Sequence, residues 1–176
     1  MCPESIEVVD ASATGKVPDA AELFFEYMAA TLEEVGWPVP KVPSELPEEW
    51  RSEVEHLASV YPPPGALLVA YRRNSPIGVV GMQVRDSQVA EVKHLYVRPG
   101  ERGGIGRQLM DTLHSRAKEN GLQRLVLDVL ISRDNVTNFY RRLGYVDIEP
   151  YTVEPVPVIF LGLNLRELRL PARRGI

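Results

Sequence analysis

The sequence predicts a mixed α/β fold (an α+β mixed sheet) with helices on both faces, in the order β-α-α-β-β-β-α-β-α-β-β. Two observations carry this. Between residues 66 and 97 the apolar pattern is that of strands, in three runs separated by short turns, which reads as an antiparallel meander. Residues 90–121 then pass from strand through a glycine-rich turn into an amphipathic helix, and an almost unbroken apolar strand follows. At 176 residues the chain is expected to form one domain over 1–176, long enough to bury a core.

Each element has its own local reason. Residues 5–9 are a short apolar run and the expected first strand. Pro18 suits a helix start, and Leu23, Phe24, Tyr27, Met28 and Thr31 recur at helical spacing over 20–32. Gly36-Trp37-Pro38 and the prolines at 40, 43 and 47 break the chain. A second helix is expected over 47–60, with Trp50, Val54, Leu57 and Ala58 on one face and Pro62-Pro63-Pro64-Gly65 stopping it. The meander strands are 67–71, 77–84 and 89–97, with turns at Asn74-Ser75 and Asp86-Ser87. In the central helix Ile105, Leu109, Met110, Leu113 and Ala117 point inward and Gly121 caps the end. Residues 125–131 form an apolar strand expected to lie parallel to its predecessor. A short helix over 134–143, closed by Gly144, and strands at 145–148 and 158–165 complete the order.

Composition narrows the function. A net charge of −4 gives no basic face for nucleic acid, and no apolar run reaches the ~18 residues of a membrane span. The single cysteine, Cys2, excludes an internal disulfide and a cysteine-based zinc site. No apolar signal-like segment opens the sequence, so a cytoplasmic protein is expected. No group of histidines and carboxylates has metal-ligand spacing, and no metal is expected. His56 and His114 are expected on solvent-facing helix positions.

The stretch Arg102-Gly103-Gly104-Ile105-Gly106-Arg107, between a strand and a helix, is the local arrangement that binds phosphate: first-turn N–H groups point outward and absent side chains allow close approach. It is not a P-loop, because no Lys-Ser or Lys-Thr pair follows the last glycine. Nor does it supply the G-x-G-x-x-G of a dinucleotide fold. A tight turn without a ligand is the plain alternative.

The combination is more specific. Arg102 to Arg107 resembles the Q/R-x-x-G-x-G/A phosphate signature of the GNAT superfamily of acetyl-CoA-dependent N-acetyltransferases, and Phe139-Tyr140-Arg141-Arg142-Leu143-Gly144-Tyr145 resembles its F-Y-x-x-x-G-F segment. The similarity extends through Glu91 to Pro99, Leu127-Asp128-Val129 and residues 150–157, in the manner of a small-molecule branch. Two departures stand out. The turn is one residue short, with Glu101 where an arginine is usual. Arg133 stands where many members carry an asparagine that reaches the pantetheine arm, leaving Asn135 or Asn138 as substitutes.

The resemblance implies a GNAT-like acyl-CoA N-acyltransferase fold and acetyl-CoA as co-substrate. Backbone N–H groups from Arg102, Gly103, Gly104, Ile105, Gly106 and Arg107 would take the pyrophosphate, and Leu95, Tyr96 and Val97 would pair with the pantetheine arm. It also implies Tyr140 as hydrogen-bonding acid to the leaving thiolate, or else as a packing aromatic. Glu91 corresponds to the catalytic base of histone-acetylating relatives, or else orients substrate or structure. His94 alternates to the face opposite Glu91. Acceptor recognition is expected from the first two helices and residues 151–157, whose neighbourhood is acidic (Glu33, Glu34, Glu45, Glu48, Glu49, Glu53, Glu55) and suits a cationic amine or is a solvated face. Asp128, inside an apolar strand, needs a partner, structural or catalytic. The expected reaction is acetyl transfer to a small-molecule amine by direct attack in a ternary complex, by a monomer or homodimer with neither nucleic-acid nor membrane partners. A longer acyl-CoA donor, or a CoA-binding regulatory module without turnover, are the alternatives.

Overall fold

The computed structural model describes residues 5–101 and 103–169. Its elements are β1 (Ile6–Asp10), α1 (Ala11–Thr14), α2 (Val17–Glu34), α3 (Glu48–Glu55), α4 (Leu57–Val60), β2 (Ala66–Arg72), β3 (Ser75–Val84), β4 (Val89–Val97), α5 (Ile105–Glu119), β5 (Arg124–Leu130), α6 (Asp134–Arg142), β6 (Val146–Asp147) and β7 (Val158–Asn164). The seven strands form one sheet in the order β1-β2-β3-β4-β5-β7-β6, antiparallel throughout except for the β4–β5 pair.

Helix ends follow local chemistry. Asp10 caps α1 by accepting from the N–H groups of Ser12 and Ala13, a turn that the sequence pattern did not announce. α5 ends in a Schellman arrangement: Gly121 has φ 76°, and the Leu122 and Gly121 N–H groups bond Ala117 and Lys118 carbonyls at 3.0 Å. The β2–β3 turn is Arg73-Asn74, both at positive φ, as a two-residue hairpin demands. It sits one residue earlier than expected, and Ser75 pairs with Arg72. The helix expected over 47–60 is two pieces, because the backbone at His56 turns to φ −127° between α3 and α4.

Two cores flank the sheet. On one face Ile105, Leu109, Met110 and Leu113 of α5 pack on Leu68, Val80, Met82 and Leu127. On the other, Leu23, Phe24 and Met28 of α2 pack with Leu57 and Tyr61 on Leu67, Val69 and Val79. His114 belongs to the first core. It is 1% exposed and bonds the Tyr145 hydroxyl at 3.0 Å, so the expectation of a solvent-facing position is wrong. The helical pattern placed it one step off the apolar stripe, and the tyrosine supplies the polar partner that lets it turn inward.

The sheet has one gap. β4 and β5 pair only at Val89–Arg124, Ala90–Leu125 and Glu91–Val126, and then part, although each strand runs on. A bulge in β4 lies at the same level: Gly81 opposes Lys93 while Val79 opposes Tyr96, and His94 takes φ 53°.

Candidate active site

The glycine-rich turn sits at the C-terminal end of β4. Gly103 (φ 105°) and Gly104 (φ 78°) take a conformation that disfavours side chains, and Gly104 serves as the N-cap of α5 without any side-chain cap. The helix ladder begins with the Gln108 N–H on the Gly104 carbonyl at 2.9 Å, so the N–H groups of Ile105, Gly106 and Arg107 lack helical partners. A Cβ added at Gly104 would meet nothing within 4 Å. The surface there is open, bare of side chains and at the positive end of a helix dipole, which fits a phosphate.

Arg102 lies outside the described residues. Arg107 is exposed and pairs with Asp111 at 3.0 Å. Glu101, acidic where an arginine was expected, is ion-paired with Arg72 of β2, and the Arg72 Nη2 lies 4.0 Å from where a Gly103 Cβ would stand. Ile105 is a core residue, and Gly106 lets α5 pass close to Phe139.

Where β4 and β5 part, residues of both strands line a cavity of about 260 Å³. Past Glu91 the β4 backbone, including Leu95, Tyr96 and Val97, has no strand beside it on the β5 side. Leu95 lines the cavity; all three side chains are half-buried. Tyr27, Thr31 and Leu32 of α2, Glu49, Trp50 and Glu53 of α3, and Glu154, Pro155 and Val156 close the other sides. Both segments expected at the acceptor site therefore border the cavity, although of the seven acidic residues noted there only Glu49 and Glu53 reach it.

Tyr140, from α6, lines the cavity floor. It is 5% exposed, its ring stands edge-on to Phe139 and Tyr145, and no hydrogen bond reaches its hydroxyl among the described residues. Burial, reinforced by nearby Tyr27 and Asp128, pushes the phenol far above its ordinary range, so it stays protonated. Asp128 faces the same space from β5. Leu125, Leu127 and Val129 turn to the α5 core, so Asp128 alternates to the other face. No other side chain comes within ion-pair or hydrogen-bond distance of its carboxylate among the described residues. Burial raises its pKa, and Lys93 only partly opposes that.

Two further carboxylates are fully engaged. Glu53 receives the Tyr61 hydroxyl and lies 3.0 Å from His94 Nε2. Burial alone would raise this carboxyl, but His94 and Tyr61 outweigh it and bring it down to about 2. Glu91 is buried and does not line the cavity: Arg85 Nη1 lies at 2.6 Å, the Tyr151 hydroxyl donates at 3.0 Å, and Lys93 Nζ stands at 3.7 Å.

His94 is where alternation misleads. The bulge turns its ring to the α2 side, 5.0 Å from Phe24 and 5.1 Å from Tyr27, and so to the same side as Glu91. It still does not pair with Glu91; its carboxylate is Glu53. Asn135 and Asn138 are exposed on α6 and do not line the cavity. Arg133 does line it, reaching back to α2: Nη2 bonds Thr31 at 2.9 Å, Nε bonds Glu34 at 2.8 Å, and the guanidinium lies 5.4 Å from the Tyr27 ring centroid. Glu53 and Arg133 were legible in the sequence only as an acidic neighbourhood and a departure from pattern. Among the described residues no group of histidines, cysteines and carboxylates could hold a metal ion, and no helix is long and apolar enough to cross a membrane.

Comparison with known proteins places this geometry. The family model for the acetyltransferase (GNAT) family matches residues 26–145. An IAA acetyltransferase of Azospirillum brasilense is 31% identical over 86 residues, 48% of this chain; the chain spans about half of that relative, 56% of its length. A GNAT-family acetyltransferase from Staphylococcus aureus superposes with a TM-score of 0.73 at 18% identity, over 92% of this chain and 99% of that one. For yncA from Salmonella typhimurium, solved with its cofactor acetyl-CoA, the TM-score is 0.67 at 17% identity, over 95% and 98%. At these identities the structures share the fold.

Proposed function

The chain belongs to the GNAT acetyltransferase family, and from that premise we propose that it transfers an acetyl group from acetyl-CoA to the amine of a small molecule, by direct attack in a ternary complex. One observation carries this reading: β4 and β5 part beyond Glu91 beside a cavity that Tyr140 lines with a hydroxyl no hydrogen bond reaches among the described residues, and β4 runs on to the open N-terminus of α5.

The chain's own groups divide the work. The first-turn N–H groups of α5 and the bare turn at Gly103 and Gly104 hold the pyrophosphate, and Arg102, adjacent in sequence, adds positive charge. The unpaired β4 edge at Leu95 to Val97 offers backbone hydrogen bonds to the pantetheine arm, and an N–H there polarises the thioester carbonyl. Acetyl-CoA supplies, when bound, an acyl group activated as a thioester. Tyr140, protonated at all working pH, donates a hydrogen bond to the developing thiolate. Among the described residues the cavity lining contains neither cysteine nor serine, and its threonine, Thr31, is engaged by Arg133, so the amine attacks directly. Glu91 in this reading is an organiser: it ties Tyr151, and with it the 151–157 segment, to β4.

The test is release of free thiol from acetyl-CoA in the presence of primary amines. Amine-dependent release that falls at least tenfold in Tyr140→Phe, with the acetyl-CoA thermal shift retained, is the expected result. A thermal shift without turnover on any amine makes the chain a CoA-binding module. No shift with acetyl-CoA overturns the reading altogether.

A further inference from the structure

Around the cavity three carboxylates have basic partners, and of the four carboxylates that line it Glu53 is engaged, Glu49 and Glu154 are exposed, and Asp128 is half-buried with no side-chain partner among the described residues. Glu53 faces His94 at 3.0 Å, Glu34 holds Arg133 at 2.8 Å, and Lys93 stands 3.7 Å from Glu91. Asp128 has none of these. Its surroundings are Glu91, Lys93 and His94 from β4, Tyr140 from α6, and Tyr151 and Glu154 from the segment before β7. Lys93 and His94 already have carboxylate partners. Leu32, Val35, Trp37, Val156 and Val158 also line the cavity. A carboxylate in such a place is costly unless something cationic comes to it. The Tyr140 hydroxyl, which no hydrogen bond reaches among the described residues, opens onto the same cavity, so two polar groups await one ligand.

We propose that Asp128 is a catalytic residue: it receives the acceptor's ammonium group and takes its first proton, selecting a primary amine carried on a short apolar body. The inference rests on the acetyl-transfer reading above. Two protons leave the nitrogen during the reaction. The first passes from the ammonium to the Asp128 carboxylate, leaving a lone pair that forms the C–N bond at the thioester carbonyl carbon. The second leaves as the C–S bond breaks and ends on the sulfur, with Tyr140 hydrogen-bonded to that atom. Asp128 then returns its proton to solvent. Burial raises the pKa of Asp128, which makes it a stronger base than an exposed carboxylate.

The experiment compares the full chain with Asp128→Asn, using isoamylamine and benzylamine as acceptors and isoamyl alcohol as the uncharged control. The acetyl-CoA thermal shift should be unchanged in the variant. Its kcat/KM at pH 7 should fall 100-fold or more. The acid limb of the wild-type kcat/KM profile should disappear, replaced by a rise of about tenfold per pH unit toward the amine's own pKa. Independently of turnover, isoamylamine should stabilise the CoA-bound wild type and not the variant, and isoamyl alcohol should not distinguish them. Carboxyl NMR of Asp128 in the wild type, which needs no variant to fold, should show its titration displaced to lower pH when isoamylamine binds. A variant within threefold of wild type with the acid limb intact overturns this inference alone, as does an unmoved Asp128 titration. A wild type that binds CoA but acetylates no amine overturns the transfer reading instead.

Discussion

His94 and Glu53 meet at 3.0 Å across the junction between β4 and α3. The contact exists because a bulge at φ 53° rotates His94 off its strand face. Glu53 also accepts from Tyr61, and the net effect is a carboxyl held at about 2 against an ordinary 4.5. Because the folded value is the lower one, the stabilisation is fully present above pH 4.5 and is lost as pH falls toward 2. The shift sets a ceiling of about 3 kcal/mol. Glu53→Gln keeps a carbonyl for Tyr61, so we expect a loss of about 2 kcal/mol at pH 7 by urea denaturation. The gap between variant and wild type should close by about pH 2. A gap that persists unchanged at that pH would falsify the assignment.

His114 gives a second acid-sensitive window. Burial, with a smaller contribution from Arg107, depresses its pKa to about 4 from 6.5. The unfolded chain binds more protons between those values, so stability is full above pH 6.5 and declines as pH falls to 4. His114→Gln retains a polar group for Tyr145 and lacks this term. Its stability difference from wild type should narrow by about 2–3 kcal/mol across that window. Imidazole NMR provides the direct check: a ring titrating near 6.5 contradicts the buried, neutral assignment.

The element order and the helix–sheet layers were readable in the sequence because hydrophobic period and Gly/Pro punctuation are local signals. The open turn at Gly103-Gly104 was readable for the same reason. What alternation could not reveal was the bulge, since one extra residue in β4 leaves the apolar pattern almost untouched while reversing His94. The absence of a partner for Asp128 was equally hidden. Its need for one follows from sequence, but the parting of β4 from β5, which removes the neighbour that would supply it, is a tertiary event. Glu101 looked like a defect in the phosphate turn. Arg72, 29 residues upstream, answers it only in space.

Arg133 joins the start of α6 to α2 through Thr31, Glu34 and Tyr27, and the neighbouring Ser132 hydroxyl donates to Glu34 at 2.5 Å. The fork of a guanidinium reaches all three; an ammonium cannot. Arg133→Ala should therefore lower stability by about 1–2 kcal/mol. Arg133→Lys should recover less than half of that loss. Amide hydrogen exchange over residues 31–35 should rise in both variants. Exchange that is unaltered there, with stability intact, would show that the bridge does not hold the cavity wall.

Gly81 lies on β3 opposite Lys93, beside the bulge, and a Cβ there would come within 2.5 Å of Tyr61 Cε1 and 2.8 Å of Cζ. The Tyr61 ring is 1% exposed and packs edge-on to Phe24, so it has nowhere to retreat. Gly81→Ala should cost about 1–3 kcal/mol by overpacking. It should also shift Tyr61 away from Glu53 and so weaken the acid dependence described for that carboxylate. Replacing the ring relieves the clash, and Gly81→Ala combined with Tyr61→Leu should be less destabilised than the sum of the two single variants. Strict additivity in denaturant unfolding would mean that Gly81 is needed for its backbone and not for the space it leaves to Tyr61.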